Sequence, residues 1–267
     1  MTNKARAGRQ IACRTFGTGP RQALAIHCSL AHSGAWSGVA AALAEDMTIT
    51  AFDMPGHGRS ADWDGNGDYL QAVAAIAATF LTEPVDLIGH SAGGIAALQL
   101  AQAAAPGMIR SLTLIEPVLF AALRGSTVWA ESVAQNRPHV EAAARGDWES
   151  ATQAFMDVWG SGVPWEDMDP RQRAYLVKRM PLIGACRPGS DDDSGRVLAE
   201  DRLEALDLPV MLIGGTESPG TVHAINEALA ARMADVGVAA VEGAGHMSPV
   251  THPAQVAGLI EVNVTRG

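Results

Sequence analysis

Cysteine is nearly missing from this chain: three in 267 residues, Cys13, Cys28 and Cys186, at unrelated spacings. An odd, scattered set excludes a disulfide framework and the paired-cysteine pattern of a structural zinc site. A reducing compartment, the cytoplasm, is the expectation. Long apolar runs are missing too. Hydrophobic residues make up 48% of the chain, yet no run approaches the roughly 18 that a membrane helix needs. The first ten residues, Met1-Thr-Asn-Lys-Ala-Arg-Ala-Gly-Arg-Gln10, contain no apolar core, so they are not read as a secretory signal. Positive charge is also scarce, with 19 Lys and Arg against 29 Asp and Glu and a net charge of −10. Nucleic acid and anionic membrane are therefore not expected partners. There is no internal repeat, no phosphate-binding glycine loop, and no low-complexity segment beyond alanine-rich helical stretches.

What is present is an alternation of short apolar runs with helical patterns. Residues 11–16, 23–26, 48–52, 85–88, 111–115, 209–213 and 238–241 read as strands. Residues 36–43, 69–81, 95–105, 222–233 and 253–262 have helical spacing. Short apolar strands separated by helices predict an α/β fold with a mostly parallel sheet covered on both faces. Reactive residues then belong at the carboxyl ends of the strands.

The alternation fails over residues 118–206, where helical patterns rich in Ala, Glu and Arg contain no convincing strand. This segment reads as a helical cap inserted into a core made of residues 1–117 and 207–267. Within it, residues 188–195 look like a mobile loop, and Asp191-Asp-Asp193 reads as a solvated turn rather than a metal site, since no histidine accompanies it. Four tryptophans, Trp129, Trp148, Trp159 and Trp165, fall inside the insertion. Trp159 and Trp165 are the candidates for lining an acyl pocket, and packing the cap's own core is the alternative for each.

The chemistry centres on Gly89-His90-Ser91-Ala92-Gly93, which follows an apolar strand and precedes an alanine-rich helix. A serine on so tight a strand-to-helix turn takes strained backbone angles, so the residues two before and two after it must be small. A serine hydroxyl is a poor nucleophile until an imidazole takes its proton. Val241-Glu-Gly-Ala-Gly-His246 places such a ring in a loop of small residues after the final strand. His252, just before Pro253, reads instead as a helix-start residue.

With His27, Asp53-Met-Pro-Gly-His-Gly-Arg-Ser60, the serine elbow and Gly243-Ala-Gly-His246 in this order, the chain resembles the α/β-hydrolases over nearly its whole length. The resemblance implies nucleophilic attack by Ser91 with proton transfer through His246. It also implies an oxyanion held by the backbone N–H groups of Ala92 and Ser29, and a structural role for His27. Acyl transfer follows: hydrolysis of a small-molecule ester, thioester or lactone through an acyl-enzyme, with no metal or organic cofactor required. Two departures stand out. Cys28 replaces the usual glycine of the oxyanion loop, where a side chain narrows the allowed backbone angles. The loop Gly214-Gly-Thr-Glu-Ser-Pro219 has no aspartate where most relatives carry the acid. Glu116, at the end of the strand 111–115, is the favoured acid, because a carboxylate there needs a partner; Glu217 is the alternative. Two other functions stay open: a C–C hydrolase using Arg173, Arg179 or Arg187 to hold a substrate carboxylate, and a degenerate small-molecule receptor. The physiological substrate and the oligomeric state have no signature in the sequence.

Overall fold

A computed structural model describes residues 2–267. Its centre is an eight-stranded sheet: β1 Thr2–Arg6, β2 Arg9–Phe16, β3 Arg21–Ile26, β4 Met47–Phe52, β5 Val85–His90, β6 Ile109–Ile115, β7 Val210–Gly215 and β8 Val236–Val241. The spatial order is β1-β2-β4-β3-β5-β6-β7-β8. The first two pairings are antiparallel and all the others parallel. Side chains alternate between the two faces of each strand. On β5, β6 and β7, Leu87, Leu114 and Leu212 join one apolar core while Ile88, Ile115 and Ile213 join the other. Helices α2 Tyr69–Ala78 and α3 Ala92–Ala103 pack on the first face, and α1 Ser37–Ala42 packs on the second.

Between β6 and β7 the chain forms only helices: α4 Thr127–Ala144, α5 Trp148–Trp159, α6 Pro170–Arg179 and α7 Pro181–Ser190, with short 3-10 turns. These four have their own small core, in which Ala142, Ala151, Trp165, Met168 and Leu176 surround Leu30 of the sheet's β3 loop. After β7 come α8 Gly220–Ala230, then α9 Ser248–Thr251 and α10 Pro253–Val264 following β8.

The structure adds one strand that the sequence reading did not place and corrects two of its expectations. The polar N-terminal residues form β1, an edge strand paired to β2. It lacks an apolar signature because four of its five residues are exposed. The stretch 188–195 is not a free loop. Helix α7 continues through Pro188 to Ser190, and the following turn is pinned by Asp193, whose carboxylate accepts from the N–H groups of Val197 (2.7 Å) and Leu198 (2.9 Å). Residues 36–43 are helical only from Ser37, after a 3-10 turn at Ser33–Trp36.

The chain reverses direction of travel across the sheet between β3 and β5, since β4 lies on one side of β3 and β5 on the other. Their carboxyl ends therefore diverge into a crevice, the usual ligand position in an open parallel sheet. The opposite end of β5 is fixed by a charge cluster. Asp86, 1% exposed, receives Arg21 at 2.6 and 2.9 Å, Arg110 at 2.8 Å and Ser111 at 2.8 Å. Removing the carboxylate leaves two cations facing each other. Asp86→Ala is expected to lower unfolding free energy by about 2–3 kcal/mol, under the ~3–5 of a fully buried pair because both arginines keep contact with water. Urea denaturation measures it, and an unchanged midpoint contradicts the assignment.

Candidate active site

Ser91 follows β5 directly and sits at φ 57°, ψ −123°, a conformation that costs an L-residue free energy and is held only by its surroundings. The glycines flanking it are required by space rather than by φ. A Cβ on Gly93 would lie 2.4 Å from the His27 carbonyl oxygen, and one on Gly89 would lie 2.6 Å from the Gly93 oxygen. Both obstacles are backbone, so neither can move aside cheaply. The close fit sets β5, α3 and the β3 loop against one another and leaves the hydroxyl at the crevice.

His246 arrives from the loop after β8. Its Nε2 lies 3.0 Å from Ser91 Oγ and its Nδ1 lies 2.6 Å from Glu116 Oε2. Glu116 follows β6 with φ 47° and has no exposed surface. Its other oxygen accepts from Gly215 N (2.7 Å) and Ser218 Oγ (2.5 Å). Burial alone would raise its pKa, but the hydrogen bond and charge of His246, with Ser218 and Gly215, hold it below the usual glutamate value. Glu217 points elsewhere: it is exposed, and the loop bond it makes is from its own N–H to Ala244 O at 2.9 Å. His252 lies outside the cluster, half-buried beside Thr251 Oγ1 (2.8 Å).

The β3 loop is held by two histidines whose tautomers follow from their partners. His27 Nε2 accepts from Met54 N (3.0 Å), so its Nδ1–H donates to Cys28 O (2.7 Å). His57 Nε2 accepts from Leu30 N (3.0 Å), so its Nδ1–H faces Pro55 O (3.1 Å). Leu30 carries the loop's left-handed φ of 64°, and Cys28 has a negative φ. The expected conformational penalty of Cys28 is therefore absent. Its thiol is buried against Met247 and pushed up to about 12 by desolvation, far from a thiolate at neutral pH. The N–H groups of Ser29 and Ala92 make no hydrogen bond among the described residues, and both residues line the same cavity as Ser91.

That cavity encloses about 630 Å³ between the strand ends and the helical insertion. Trp159 and Trp129 are on its wall, and the Trp159 ring meets the His246 ring edge-on at 4.9 Å. Trp165 is not on the wall. It packs against Met168, Leu176 and Met180 inside the insertion, with Arg173 over its face at 5.8 Å. Of the three arginines considered as carboxylate holders, Arg187 alone lines the cavity, paired to Asp191 at 2.9 Å, while Arg179 lies over the Tyr175 ring at 3.4 Å.

Several contributors have no local sequence signal. Ser218 follows the glycine pair Gly214-Gly215 in the loop after β7 and reads as an ordinary loop residue until Glu116 is placed beside it. Tyr175 donates its hydroxyl proton to Ala31 O (2.9 Å) and accepts from Gly58 N (3.1 Å), tying α6 to the β3 and β4 loops. His90 Nε2 donates to His246 O (2.9 Å) and so positions the backbone of that loop.

The model of the Alpha/beta hydrolase family matches residues 23–259. The chain is 29% identical to a pimeloyl-[acyl-carrier protein] methyl ester esterase of Methylococcus capsulatus over 92% of this chain and 95% of the relative. It is 36% identical to lipase LipV of Mycobacterium tuberculosis over 53% of this chain and 54% of the relative. In three dimensions it is similar to the haloalkane dehalogenase DatA of Agrobacterium tumefaciens, with a TM-score of 0.73 at 17% identity over 99% of this chain and 96% of that one.

The buried histidines give the site an acid sensitivity. Burial lowers the pKa of His27 to about 4 and of His90 to about 3, and that of His57 well below the ordinary value. Folded, these rings stay neutral where the unfolded chain takes up protons near pH ~6.5, so stability falls as pH falls through that value, by at most about 1.4 kcal/mol per pH unit per ring. The thermal midpoint should be flat above about pH 7 and drop steadily from about pH 6.5 to 5. A midpoint constant across that window contradicts neutral burial.

Proposed function

The chain belongs to the alpha/beta hydrolase family, and on that premise we propose that Ser91, His246 and Glu116 are the catalytic triad of a serine hydrolase acting on small-molecule carboxylic esters, thioesters or lactones. The observation that carries the reading is the continuous relay from Ser91 Oγ through His246 (3.0 and 2.6 Å) to the buried Glu116. Residues 1–117 and 207–267 form the core in this reading, and 118–206 the cap that closes the acyl pocket. Trp159 is the cap aromatic whose ring meets the His246 ring. The unpaired thiols of Cys13, Cys28 and Cys186 support a reducing, cytoplasmic setting.

The steps follow from the geometry. Ser91 Oγ attacks the carbonyl carbon while His246 Nε2 takes its proton. The imidazolium so formed is stabilised by the Glu116 carboxylate at Nδ1–H. The carbonyl π pair moves to oxygen, and the oxyanion is met by the N–H groups of Ala92 and Ser29, each such donor contributing about 3–4 kcal/mol to the transition state. Collapse breaks the bond to the leaving group, which takes the proton from His246. Water then attacks the acyl-serine with His246 again as base, releasing the acid and restoring Ser91.

The two sequence relatives named above are a methyl ester esterase and a lipase, names that agree in class with an apolar cavity above a serine. The test is a set of single variants on one activated ester. Ser91→Ala should abolish turnover with the melting temperature nearly unchanged. Glu116→Gln keeps the shape but removes the charge, and should lower kcat by on the order of 10⁴, the cost of the equivalent change in a serine protease. Glu217→Gln should change it little. The opposite ranking would move the acid to Glu217, and equal mild losses would leave a Ser91–His246 dyad.

A further inference from the structure

The cavity wall is mostly apolar, with Val118, Phe120, Phe155 and Ile183 among its side chains. One strip of it differs. Ser132, Asn136 and His139 lie four and three residues apart on α4, share one face of that helix, and all line the cavity. Asn136 is engaged on both sides: its Oδ1 accepts from Trp159 Nε1 (2.9 Å), and its Nδ2 donates to Ser132 O (2.9 Å) and to Ser132 Oγ (3.4 Å), which leaves the Ser132 hydroxyl proton to be given to a ligand. Since Trp159 also touches the His246 ring, Asn136 stands one side chain away from the reacting centre.

His139, the next turn along, is different. The ring is 6% exposed and makes no hydrogen bond among the described residues. Its Nδ1 is sealed off without a partner, and Phe155 meets the ring edge-on at 5.4 Å. Nε2 is equally unpaired but is not sealed off, and the residue lines the cavity. A buried imidazole with no partner costs free energy that folding does not return. Pockets use a few such polar groups in an apolar wall to orient a ligand. Of the charged side chains on the wall, Arg187 Nε and Asp191 Oδ2 pair with each other at 2.9 Å, and Arg137, the residue after Asn136, is exposed to solvent. Burial, with the charge of Arg187, lowers the His139 pKa to about 4, so the ring is neutral at working pH.

We propose that His139 Nε2 and Ser132 Oγ form a recognition subsite for a neutral oxygen-bearing group, a hydroxyl or an amide, placed distally on the ester or thioester that Ser91 cleaves. The inference rests on the serine-hydrolase reading above, and narrows its substrate class from simple alkyl esters to functionalised ones. The group can belong to the acyl chain or to the alcohol, and the chemistry recognised is the same.

Two matched pairs separate these sources: p-nitrophenyl ω-hydroxyhexanoate against p-nitrophenyl heptanoate, and ω-hydroxyhexyl butyrate against heptyl butyrate. The purified protein is expected to favour the hydroxylated member of at least one pair by roughly tenfold in kcat/KM, the scale of one hydrogen bond to a group otherwise left unpaired. His139→Phe, which keeps the ring volume beside Phe155, and Ser132→Ala should each bring that ratio towards one. The thermal midpoint of His139→Phe should stay level or rise, since an unpartnered polar group is removed. Absence of preference in both pairs overturns the proposal, as does a preference that survives both variants. A stronger preference for the p-nitrophenyl monoester of adipate overturns it as well, because the group read would then be an anion. Turnover of p-nitrophenyl acetate by the unmodified protein, and its loss in Ser91→Ala, tests the underlying reading separately. If acetate is cleaved but neither pair is discriminated, the subsite alone falls.

Discussion

A carboxylate with no exposed surface has to be surrounded by donors, because an ion taken out of water costs several kcal/mol unless its lone pairs are met. Glu116 is that carboxylate, and meeting its requirement organises one end of the sheet. It sits after β6. One oxygen draws in Gly215 N and Ser218 Oγ from the end of β7 and its loop, and the other draws in His246 from the loop after β8. Three neighbouring strand ends are thus joined through one side chain. The same bond that satisfies the charge turns the imidazole so that Nε2 faces Ser91. Stability and reactivity share the contact, and breaking it strands a buried charge while freeing the ring to rotate.

The other half of the site depends on close approach rather than charge. Gly89 and Gly93 let β5, α3 and the β3 loop meet at distances that exclude a Cβ. His27 and His57 then fix the loop by accepting backbone N–H bonds at Nε2. The helical insertion adds to this frame. Tyr175 bonds the loop at Ala31, Cys186 Sγ lies 3.5 Å from Ser29 Oγ, and Trp159 packs on the His246 ring. A shift of the insertion would therefore be felt at the β3 loop and at the imidazole, so it bears on positioning as well as on what fits the cavity.

Much of this is legible in the chain itself, for identifiable reasons. Buried parallel strands appear as uninterrupted apolar runs, and the glycine-flanked serine has a local steric cause. The strand β1 escapes notice because an exposed edge needs no apolar pattern. Trp165 and Trp159 look equivalent in sequence, yet only contacts between helices decide that one packs inward and the other faces the cavity. The same holds for Glu116 and Glu217, both at strand ends. The distinction lies in the long-range meeting of β6 with the β8 loop, 130 residues apart in the chain. Cys28 is a case of the converse: a side chain that looks obstructive is harmless because Leu30 takes the strained backbone angle.

Trapping the covalent intermediate tests the central claim most directly. The protein is mixed with an activated p-nitrophenyl ester, quenched in acid during the first turnover, and examined by intact-mass and peptide mass spectrometry. The account predicts one acyl group per chain, carried on the peptide that contains Ser91. Acylation at Cys28 or elsewhere, or steady turnover with no adduct in any quenched sample, would contradict it.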